Sequence, residues 1–448
     1  MSGIAQVLLT LGNKVTGSDV KLSETVKQLR KAGAEIHIGH SPQNVEGADV
    51  VVVSSAIKKD NPEIVAAQEA SIPIIKRAEM LAELMRLKKF GIAVAGTHGK
   101  TSTTSMVASV LDAGGVDPTV IIGGKINSVK TNAYWGEGDF LLAEADESDG
   151  SFLRLTPCIS IVTNIDLEHL DHYPDLETIK QAFKDFLDKI PFYGFAVLCG
   201  DDPNLISLKG EIKKRVIWYG TEPHVDIRAT DIHFDGLSST YKVYQKEKLL
   251  GQIELQVPGV HHVQNSLAAL AVGLELEIPF EKIAEGLRNY TGVGRRFDVL
   301  GEKNGILVVD DYAHHPTEIE ATLKAARACW PDRRLLVLFE PHRYSRTHAL
   351  MDSFAQAFSN VDRLWLTEIY PASEPPILGV TGEKLAQKVR ESWGEIVDFV
   401  ESVDLMPARV LESARPGDVI ITMGAGSIGK TGQQICELLE QKKYGVAL

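Results

Sequence analysis

The chain has 448 residues, of which 44% are hydrophobic and 24% are charged, so its length fits two or three soluble domains. Its net charge of −13 argues against a nucleic-acid partner, which requires a basic surface. The sequence contains no run of about 18 apolar residues that would predict a membrane span, and its start lacks the features of a secretory signal. The cysteines stand far apart. We therefore expect a cytoplasmic protein without disulfides.

The first segment alternates helix-like and strand-like stretches. Residues 4–11 carry apolar side chains at helical spacing, 15–19 predict a short strand and turn, 26–32 predict a helix, and 49–54 predict a buried strand. This alternation predicts an α/β unit with a parallel sheet, which here opens on a helix.

Two further α/β units are predicted, one beginning near residue 90 and one after residue 294. The predicted elements of the second are a strand at 91–95, a helix at 102–113, strands at 140–143 and 159–162, antiparallel hairpins over 229–257 and a helix from 262. The predicted strands of the third are 306–310, 335–339, 364–367 and 419–423, with helices between them.

A glycine-rich loop lies between the strand at 91–95 and the following helix. Its residues are Gly96, Thr97, His98, Gly99, Lys100, Thr101 and Ser102. Glycines allow backbone N–H groups to face a phosphate, and the helix N-terminus adds partial positive charge. Lys100 could reach the β- and γ-phosphates, and Thr101 could place a hydroxyl on Mg²⁺. The strict pattern has Gly where this chain has Val94, so an ordinary glycine-rich turn is the alternative.

Glu144 stands at the end of a buried strand and begins an acidic run. An acid at this position beside a phosphate loop is placed to bind Mg²⁺. The alternative is a solvated acidic loop, and this interpretation suits Asp149 and Glu147.

The segment 163–172 follows another strand and contains two histidines and three acids, among them His169. This composition suggests a metal site, and a zinc hydrolase is one alternative. However, the HExxH pattern is absent and no later Cys or His pair completes a zinc set. A surface loop remains open on these residues alone.

A second glycine-rich run, 424–429, fits the GxGxxG pattern after the strand at 419–423. Too few residues follow for the next strand and acidic residue of a dinucleotide site. We therefore interpret it as a tight turn at the edge of the third unit.

Taken in order, these motifs resemble the Mur ligases, which build the peptide of the bacterial cell wall. The matching stretches are 96–101, 144–149, 163–169, 261–265, 268–269, 294–297, 310–316 and 341–347, spread over essentially the whole chain. The resemblance implies three domains: a Rossmann-like UDP-sugar-binding domain without its first strand at 1–88, a central P-loop ATPase-type domain at 89–294, and a C-terminal Rossmann-like domain at 295–448. The central domain would combine a parallel sheet with a small antiparallel part.

The resemblance also implies the reaction. It predicts ATP and Mg²⁺ as cofactors, and amide formation between UDP-N-acetylmuramate and L-alanine by a monomer or homodimer. Three of the motifs favour the member that adds L-alanine. A ligase that recycles an intact tripeptide is one alternative, and a nucleotide-binding protein with impaired ligase chemistry is another.

Residue roles follow from the resemblance position by position. Lys100, His169, Arg343 and Arg346 would be catalytic, and Thr101, Glu144 and His169 would bind the metal. The ATP site would add His261, Asn265, Arg296 and Asp311 to the glycine-rich loop. The UDP-sugar site would comprise Ser18, Asp19, His40, Ser54, Ser55, Ala56 and Ile57, and the amino-acid site His314, His315, Arg343 and Arg346.

Several of these positions have plainer interpretations, or depart from the family. His261 could simply begin a helix, and the arginine pairs could be solvated surface residues. His262 stands where the family usually has Asn, which puts one adenine contact in doubt. Full-length relatives begin with a strand and a glycine-rich loop before the equivalent of residues 1–5. We therefore expect weak UDP-sugar binding and exposed strand edges in the first domain.

Overall fold

The computed structural model describes residues 1–54, 56–124 and 132–443. Its strands are β1 (Thr16–Asp19), β2 (Glu35–Ile38), β3 (Val51–Val53), β4 (Ile74–Lys76), β5 (Phe90–Ala95), β6 (Thr119–Ile121), β7 (Ala133–Tyr134), β8 (Phe140–Glu144), β9 (Ile159–Val162), β10 (Phe195–Cys199), β11 (Val216–Gly220), β12 (Ile227–Asp235), β13 (Ser238–Gln245), β14 (Lys248–Leu255), β15 (Asp298–Lys303), β16 (Ile306–Asp311), β17 (Leu335–Phe339), β18 (Arg363–Thr367), β19 (Val397–Val400) and β20 (Val419–Met423).

Helices separate most of these strands. They are α1 (Ser2–Thr10), α2 (Glu24–Lys31), α3 (Pro62–Glu69), α4 (Arg77–Arg86), α5 (Lys100–Ala113), α6 (Leu176–Asp188), α7 (Pro203–Ser207), α8 (Val260–Glu275), α9 (Phe280–Arg288), α10 (Pro316–Cys329), α11 (Tyr344–Ala349), α12 (Met351–Gln356), α13 (Gly382–Trp393), α14 (Met406–Ser413) and α15 (Thr431–Lys443). Short 3-10 helices occur at Pro42–Val45, Ser151–Arg154, Gly394–Ile396, Val403–Leu405 and Ser427–Lys430.

Polar residues begin several helices by accepting hydrogen bonds from free backbone N–H groups. The side chain of Ser23 accepts from Val26 at the start of α2, and that of Thr381 accepts from Lys384 at the start of α13. Asn61 caps α3, where a proline occupies the first turn without losing a helical hydrogen bond.

The described residues divide into two compact units. The first comprises Met1–Asp166, Glu177–Ile227 and Ala268–Gly286, and the second comprises Leu167–Leu176, Arg228–Leu267 and Leu287–Leu448. These units group segments from different parts of the chain, so the domain boundaries at 88 and 294 stay a prediction.

In the first unit, the early strands form two separate parallel pairs, β1 with β2 and β3 with β4. Farther along the chain, β11, β10, β9, β5, β8, β6 and β7 lie side by side in that order. The pairs of β5 with β8 and with β9 are parallel, and β7 runs antiparallel to β6. Consequently β5, which carries the glycine-rich loop, is central in this part of the sheet.

In the second unit, β12, β13 and β14 are neighbours, and β13 pairs antiparallel with β14 as predicted for this hairpin region. The other strands form a sheet with the order β15-β16-β20-β17-β18-β19, parallel except for β15 at one edge. Both faces are buried, because alternate residues enter separate cores: Leu335, Val337 and Phe339 enter one, and Leu336 and Leu338 the other.

The predicted α/β fold class is confirmed, including the opening helix, the strand before the phosphate loop and the later buried strands. The strand β20 lies between β16 and β17 in the interior of its sheet, and the expectation that the turn after it lies at the edge of the third unit stays a prediction. Among the described residues, we found no helix with both the length and the apolar character needed to cross a bilayer.

Candidate active site

The glycine-rich loop connects the fully buried end of β5 to the first residue of α5. Gly96 has φ +128°, and a β-carbon there would lie 2.0 Å from the hydroxyl of Thr163. Gly99 adopts a left-handed conformation at the N-cap of α5, with φ 81°. Side chains are disfavoured at both positions, so the chain can fold tightly over the helix N-terminus only with glycine here. Because the first-turn N–H groups of α5 lie at this end, they are available to a phosphate.

Lys100 points back into this loop. Its ammonium donates to the carbonyls of Gly96 at 2.6 Å and Thr97 at 3.0 Å, and to the carboxylate of Glu147 at 2.8 Å. Burial alone would lower the pKa of Lys100, but Glu147, with the nearby Asp146 and Glu144, raises this pKa above its ordinary value. The lysine is therefore a charged group at the point where a phosphate would bind.

Glu147 is 2% exposed. Its interpretation as part of a solvated acidic loop was wrong, because the buried ammonium of Lys100 compensates its charge. Asp149 of the same run is half-buried and accepts a hydrogen bond from the backbone N–H of Ser151.

Thr101 and Glu144, two of the residues predicted to bind the metal, lie beside each other. The Thr101 hydroxyl lies 3.1 Å from both carboxylate oxygens of Glu144, and the Gly123 N–H donates to one of them at 2.9 Å. Hydroxyl and carboxylate oxygens are ligands that Mg²⁺ prefers, so this pair fits that ion. His169, the third predicted ligand, belongs to the second unit.

His98 is fixed by the loop after β9. Its backbone N–H donates to the side chain of Asn164 at 2.8 Å, and its imidazole Nε2 lies 3.1 Å from Asp166. These contacts join the phosphate loop to the neighbouring parallel strand.

The residues predicted for the UDP-sugar fall into two groups. Ser18 and His40 come together, since their side chains lie 2.9 Å apart, and Ser18 also donates to Glu63 at 2.7 Å. The backbone N–H of Lys21 donates to Asp19 beside them. Ser54, Ala56 and Ile57 form the turn after β3, in which the Ile57 N–H donates to the Ser54 carbonyl. Ser55 lies outside the described residues.

In the second unit, Arg346 has a carboxylate partner. Its Nε donates to Glu168 at 2.9 and 3.2 Å, and its Nη1 donates to the carbonyl of His342 at 3.0 Å. Both charged side chains are buried, at 6% and 8% exposure. Burial alone would raise the pKa of Glu168, but Arg346 and three neighbouring histidines lower it to about 2. His169 follows directly, with φ 57°.

Arg343 is held more loosely than Arg346. Its Nη1 lies 3.4 Å from Asp171 and 3.8 Å from Glu374, and its side chain is 34% exposed. Both arginines line a small cleft, together with Leu167, Glu168, His169, Leu170, Asp171, Ser345 and Leu350. Their predicted role in binding a carboxylate stays a prediction, and Arg343 is the more accessible of the two.

Of the remaining predicted ATP residues of the second unit, Asn265 and Asp311 are buried, and His261 and Arg296 are half-buried. Burial lowers the pKa of His261 well below its ordinary value and that of His262 to about 4, so both are neutral at pH 7. Asn265 is buried on α8. Asp311 accepts the backbone N–H groups of Phe297 and Ala313, each at 2.7 Å, and burial raises its pKa to about 6.

The predicted amino-acid residues His314 and His315 lie at the start of α10. His315 is its N-cap, with a side chain that accepts from the Thr317 N–H. His314 donates from Nδ1 to the carbonyl of Tyr312 at 2.9 Å, and burial lowers its pKa to about 3. His314 and His342 stand 6.0 Å apart, edge to face.

The second glycine-rich run is filled by an acid of the neighbouring strand. Glu340, at the end of β17, accepts from the Ser427 hydroxyl and from the Ile428 N–H at 2.9 Å. Arg295 donates to the Gly424 carbonyl at 2.6 Å and pairs with Asp310. The Ile428 N–H and the Ser427 hydroxyl of this turn are thus bound to a protein carboxylate, which supports the choice against a dinucleotide site.

Sequence reasoning missed the acids that hold the predicted residues. Each of them is buried or half-buried and pairs with a predicted residue or fills a glycine turn; they are Glu63, Glu147, Glu168, Glu318 and Glu340. An acid next to a motif was the available signal, but its partner is too distant in sequence to be identified from spacing.

Three family models match successive parts of the chain. They are the "Mur ligase family, catalytic domain" at residues 1–89, the "Mur ligase middle domain" at 94–273 and the "Mur ligase, glutamate ligase domain" at 295–426. Together they cover most of the chain, in the order that the phosphate loop and the later motifs predict. The chain belongs to the Mur ligase family.

Three individual relatives show which members of the family this chain is similar to. A UDP-N-acetylmuramate–L-alanine ligase from Geotalea daltonii is 53% identical, over 98% of this chain and 96% of the relative. The crystal structure of a UDP-N-acetylmuramate-alanine ligase from Thermotoga maritima superposes with a TM-score of 0.84 at 30% identity, covering 99% of this chain and 97% of the other. A murein peptide ligase from Psychrobacter arcticus gives a TM-score of 0.72 at 26% identity, covering 100% and 97%.

Proposed function

We propose that this chain uses ATP to join the carboxylate of UDP-N-acetylmuramate to the amine of L-alanine, in cytoplasmic peptidoglycan precursor synthesis. The observation that carries the proposal is the phosphate loop, in which a charged Lys100 and the paired oxygens of Thr101 and Glu144 lie at the ends of neighbouring parallel strands. The identity of the substrates rests on the similarity to relatives that bear this name over nearly their whole length.

The chemistry requires two anions to approach each other. The sugar carboxylate attacks the γ-phosphorus of ATP, which gives an acyl phosphate and ADP. The amine of L-alanine then attacks the acyl carbon, and the tetrahedral intermediate collapses to the amide and inorganic phosphate. In this proposal the ammonium of Lys100 moves from Glu147 to the γ-phosphate and stabilises the charge that develops there.

We further propose that Thr101 and Glu144 hold Mg²⁺; the metal-binding role of His169 stays a prediction. When bound, the ion would neutralise charge between the phosphates and the incoming carboxylate. The fit rests on the 3.1 Å approach of the hydroxyl to both carboxylate oxygens, which brings hard oxygen ligands together beside the loop.

The other two substrates would bind at the remaining predicted residues. Arg343, with its guanidinium partly free of protein contacts, would receive the L-alanine carboxylate, because the planar guanidinium of arginine suits a carboxylate. Ser18 and His40 would contact the UDP part of the sugar nucleotide. These roles, like those of the ATP residues, await mutation.

The test is phosphate release with each substrate omitted in turn. We expect release only when ATP, Mg²⁺, UDP-N-acetylmuramate and L-alanine are all present. Lys100→Met should lower the rate by about 10²–10³-fold, since it removes a charge aimed at the transferred phosphate. Lys282→Met, on the exposed side of α9, is the matched control and should leave the rate unchanged.

Two outcomes would contradict the proposal. Release that ignores both the sugar nucleotide and L-alanine would leave only a nucleotide-binding protein with hydrolytic activity. Release supported by an L-alanyl tripeptide but not by L-alanine would identify the recycling reaction instead.

Light scattering of the same sample would distinguish a monomer from a homodimer.

A further inference from the structure

We propose that Glu318 is a positioning residue that ties the ATP side of the second unit to its amino-acid side by holding Arg296 and His314 with one carboxylate. The inference rests on the proposed function, which assigns Arg296 to ATP and His314 to L-alanine. Neither the sequence motifs nor the comparisons gave Glu318 a role.

The two oxygens of Glu318 have different partners. Oε1 lies 3.3 Å from Nη1 of Arg296. Oε2 accepts the backbone N–H of His314 at 3.1 Å and lies 3.2 Å from Nδ1 of the same residue. The side chain of Glu318 is only 10% exposed, so its charge is largely withdrawn from water and held by these groups.

A ring contact reinforces this bridge. The guanidinium of Arg296 lies 5.1 Å from the centre of the Tyr312 ring, and this ring meets the imidazole of His314 edge to face at 5.3 Å. Arg296 and His314 are therefore connected both through the carboxylate and through the tyrosine. A displacement of one should move the other.

Glu318 also has a simpler role, because it stands in the first turn of α10. A carboxylate there interacts favourably with the helix dipole and with free N–H groups. That role alone would not require a contact to Arg296, which lies 22 positions earlier in the chain. The two roles predict different experimental results, since capping affects stability and bridging affects substrate binding.

The experiment compares Glu318→Gln with Glu320→Gln in the full-length chain. Gln keeps the size of the side chain but removes the negative charge and one of the two acceptor oxygens, so it weakens the contacts to both partners. Glu320 lies on the same helix, is 40% exposed and pairs only with Lys324 among the contacts found here, which makes it the matched control. Michaelis constants for ATP and L-alanine, kcat and the melting temperature are measured for each variant.

We expect Glu318→Gln to raise the Michaelis constants for both ATP and L-alanine about tenfold, with a smaller change in kcat. Glu318→Asp, which keeps the charge but cannot reach both partners, should recover one of the two constants. Should Glu318→Gln not fold, the aspartate variant carries the test alone: one raised constant supports the bridge, and two unchanged constants refute it.

The outcomes separate this inference from the proposed function. A wild-type chain that shows no phosphate release dependent on L-alanine would overturn the proposed function and the inference with it. An active wild type in which Glu318→Gln lowers only the melting temperature, with Michaelis constants equal to those of Glu320→Gln, would overturn the inference alone.

Discussion

Each unit of the molecule contains a buried ion pair of a cation and a carboxylate beside its predicted site. The two pairs differ in the type of cation and in the other groups that bind it. In the first unit, Lys100 contacts Glu147 at 2.8 Å, and its other bonds go to carbonyls of its own loop. In the second, Arg346 contacts Glu168 at 2.9 Å, and its other bonds go to His342.

The difference lies in how easily each cation can leave its partner. An ammonium is a point charge on a flexible stem, so in the proposed reaction Lys100 would exchange Glu147 for a phosphate. A guanidinium binds through a planar fork with fixed directions, and the fork of Arg346 is occupied on more than one side. The comparison suggests one exchangeable cation and one fixed cation.

Among single substitutions, the largest expected effect is on the fixed pair. Glu168→Ala should lower the free energy of unfolding by about 3–5 kcal/mol, because it leaves the guanidinium of Arg346 buried without a carboxylate. Urea denaturation followed by circular dichroism measures the change. Asp171→Ala removes the exposed partner of Arg343 and should cost less than about 1 kcal/mol. Equal losses of unfolding free energy in the two variants would show that the buried pair stabilises the fold no more than the exposed pair does.

The next effect concerns acid stability of the second unit. Burial lowers the pKa values of His262 and His342 to about 4 and that of His314 to about 3. Unfolded histidines bind a proton below about pH 6.5, whereas these folded ones do not. The free energy of unfolding should therefore fall as the pH drops from about 6.5 toward 4, by at most about 1.4 kcal/mol per pH unit for each histidine.

Asp311 opposes this trend, because its raised pKa of about 6 makes the folded state take up a proton first. Melting temperatures between pH 7.5 and 5 test the balance, with His342→Gln expected to flatten the slope. Hydrogen exchange should show that second-unit amides lose protection first. If the slope of melting temperature against pH were unchanged in His342→Gln, the assignment of the acid destabilisation to the buried histidines would be contradicted.

The smallest effect concerns the exchangeable pair. Glu147→Gln should tighten ATP binding about tenfold, or ~1.4 kcal/mol, since Lys100 no longer leaves a carboxylate and one negative charge near the phosphates is gone. Calorimetric titration of ATP measures this, and Asp149→Asn in the same acidic run is the control. Weaker ATP binding in Glu147→Gln would mean that the acid aligns the lysine rather than competing for it.

Much of the fold could be predicted because buried strands have a strong local signal. The strand at 335–339 was predicted with its observed bounds, and that at 91–95 within one residue, since each is a continuous apolar run. Very short strands such as β4 and β6 were not predicted, because three residues carry no periodicity. Two longer buried strands, β10 and β11, were also not identified.

The cations and loops of the candidate site could be predicted from the sequence, but the carboxylates that pair with those cations could not. Glu147 lies 47 residues after Lys100, and Glu168 lies 178 residues before Arg346. Spacing within a motif cannot reveal such contacts, which depend on the order of strands in the sheet. Glu147 was therefore interpreted as part of a solvated loop, although it neutralises the phosphate-loop lysine.

The turn after β20 offers a way to judge glycine-rich motifs in other chains. The N–H of Ile428 and the hydroxyl of Ser427 already donate to Glu340, which directly follows the adjacent strand β17. A GxGxxG turn can thus be self-ligated, with a carboxylate from the same polypeptide taking the place a pyrophosphate would occupy. Where a neighbouring parallel strand is followed by an acid beside such a turn, the donors of the turn are bound to that acid. A search by glycine spacing alone will then report a cofactor site whose donors are already occupied.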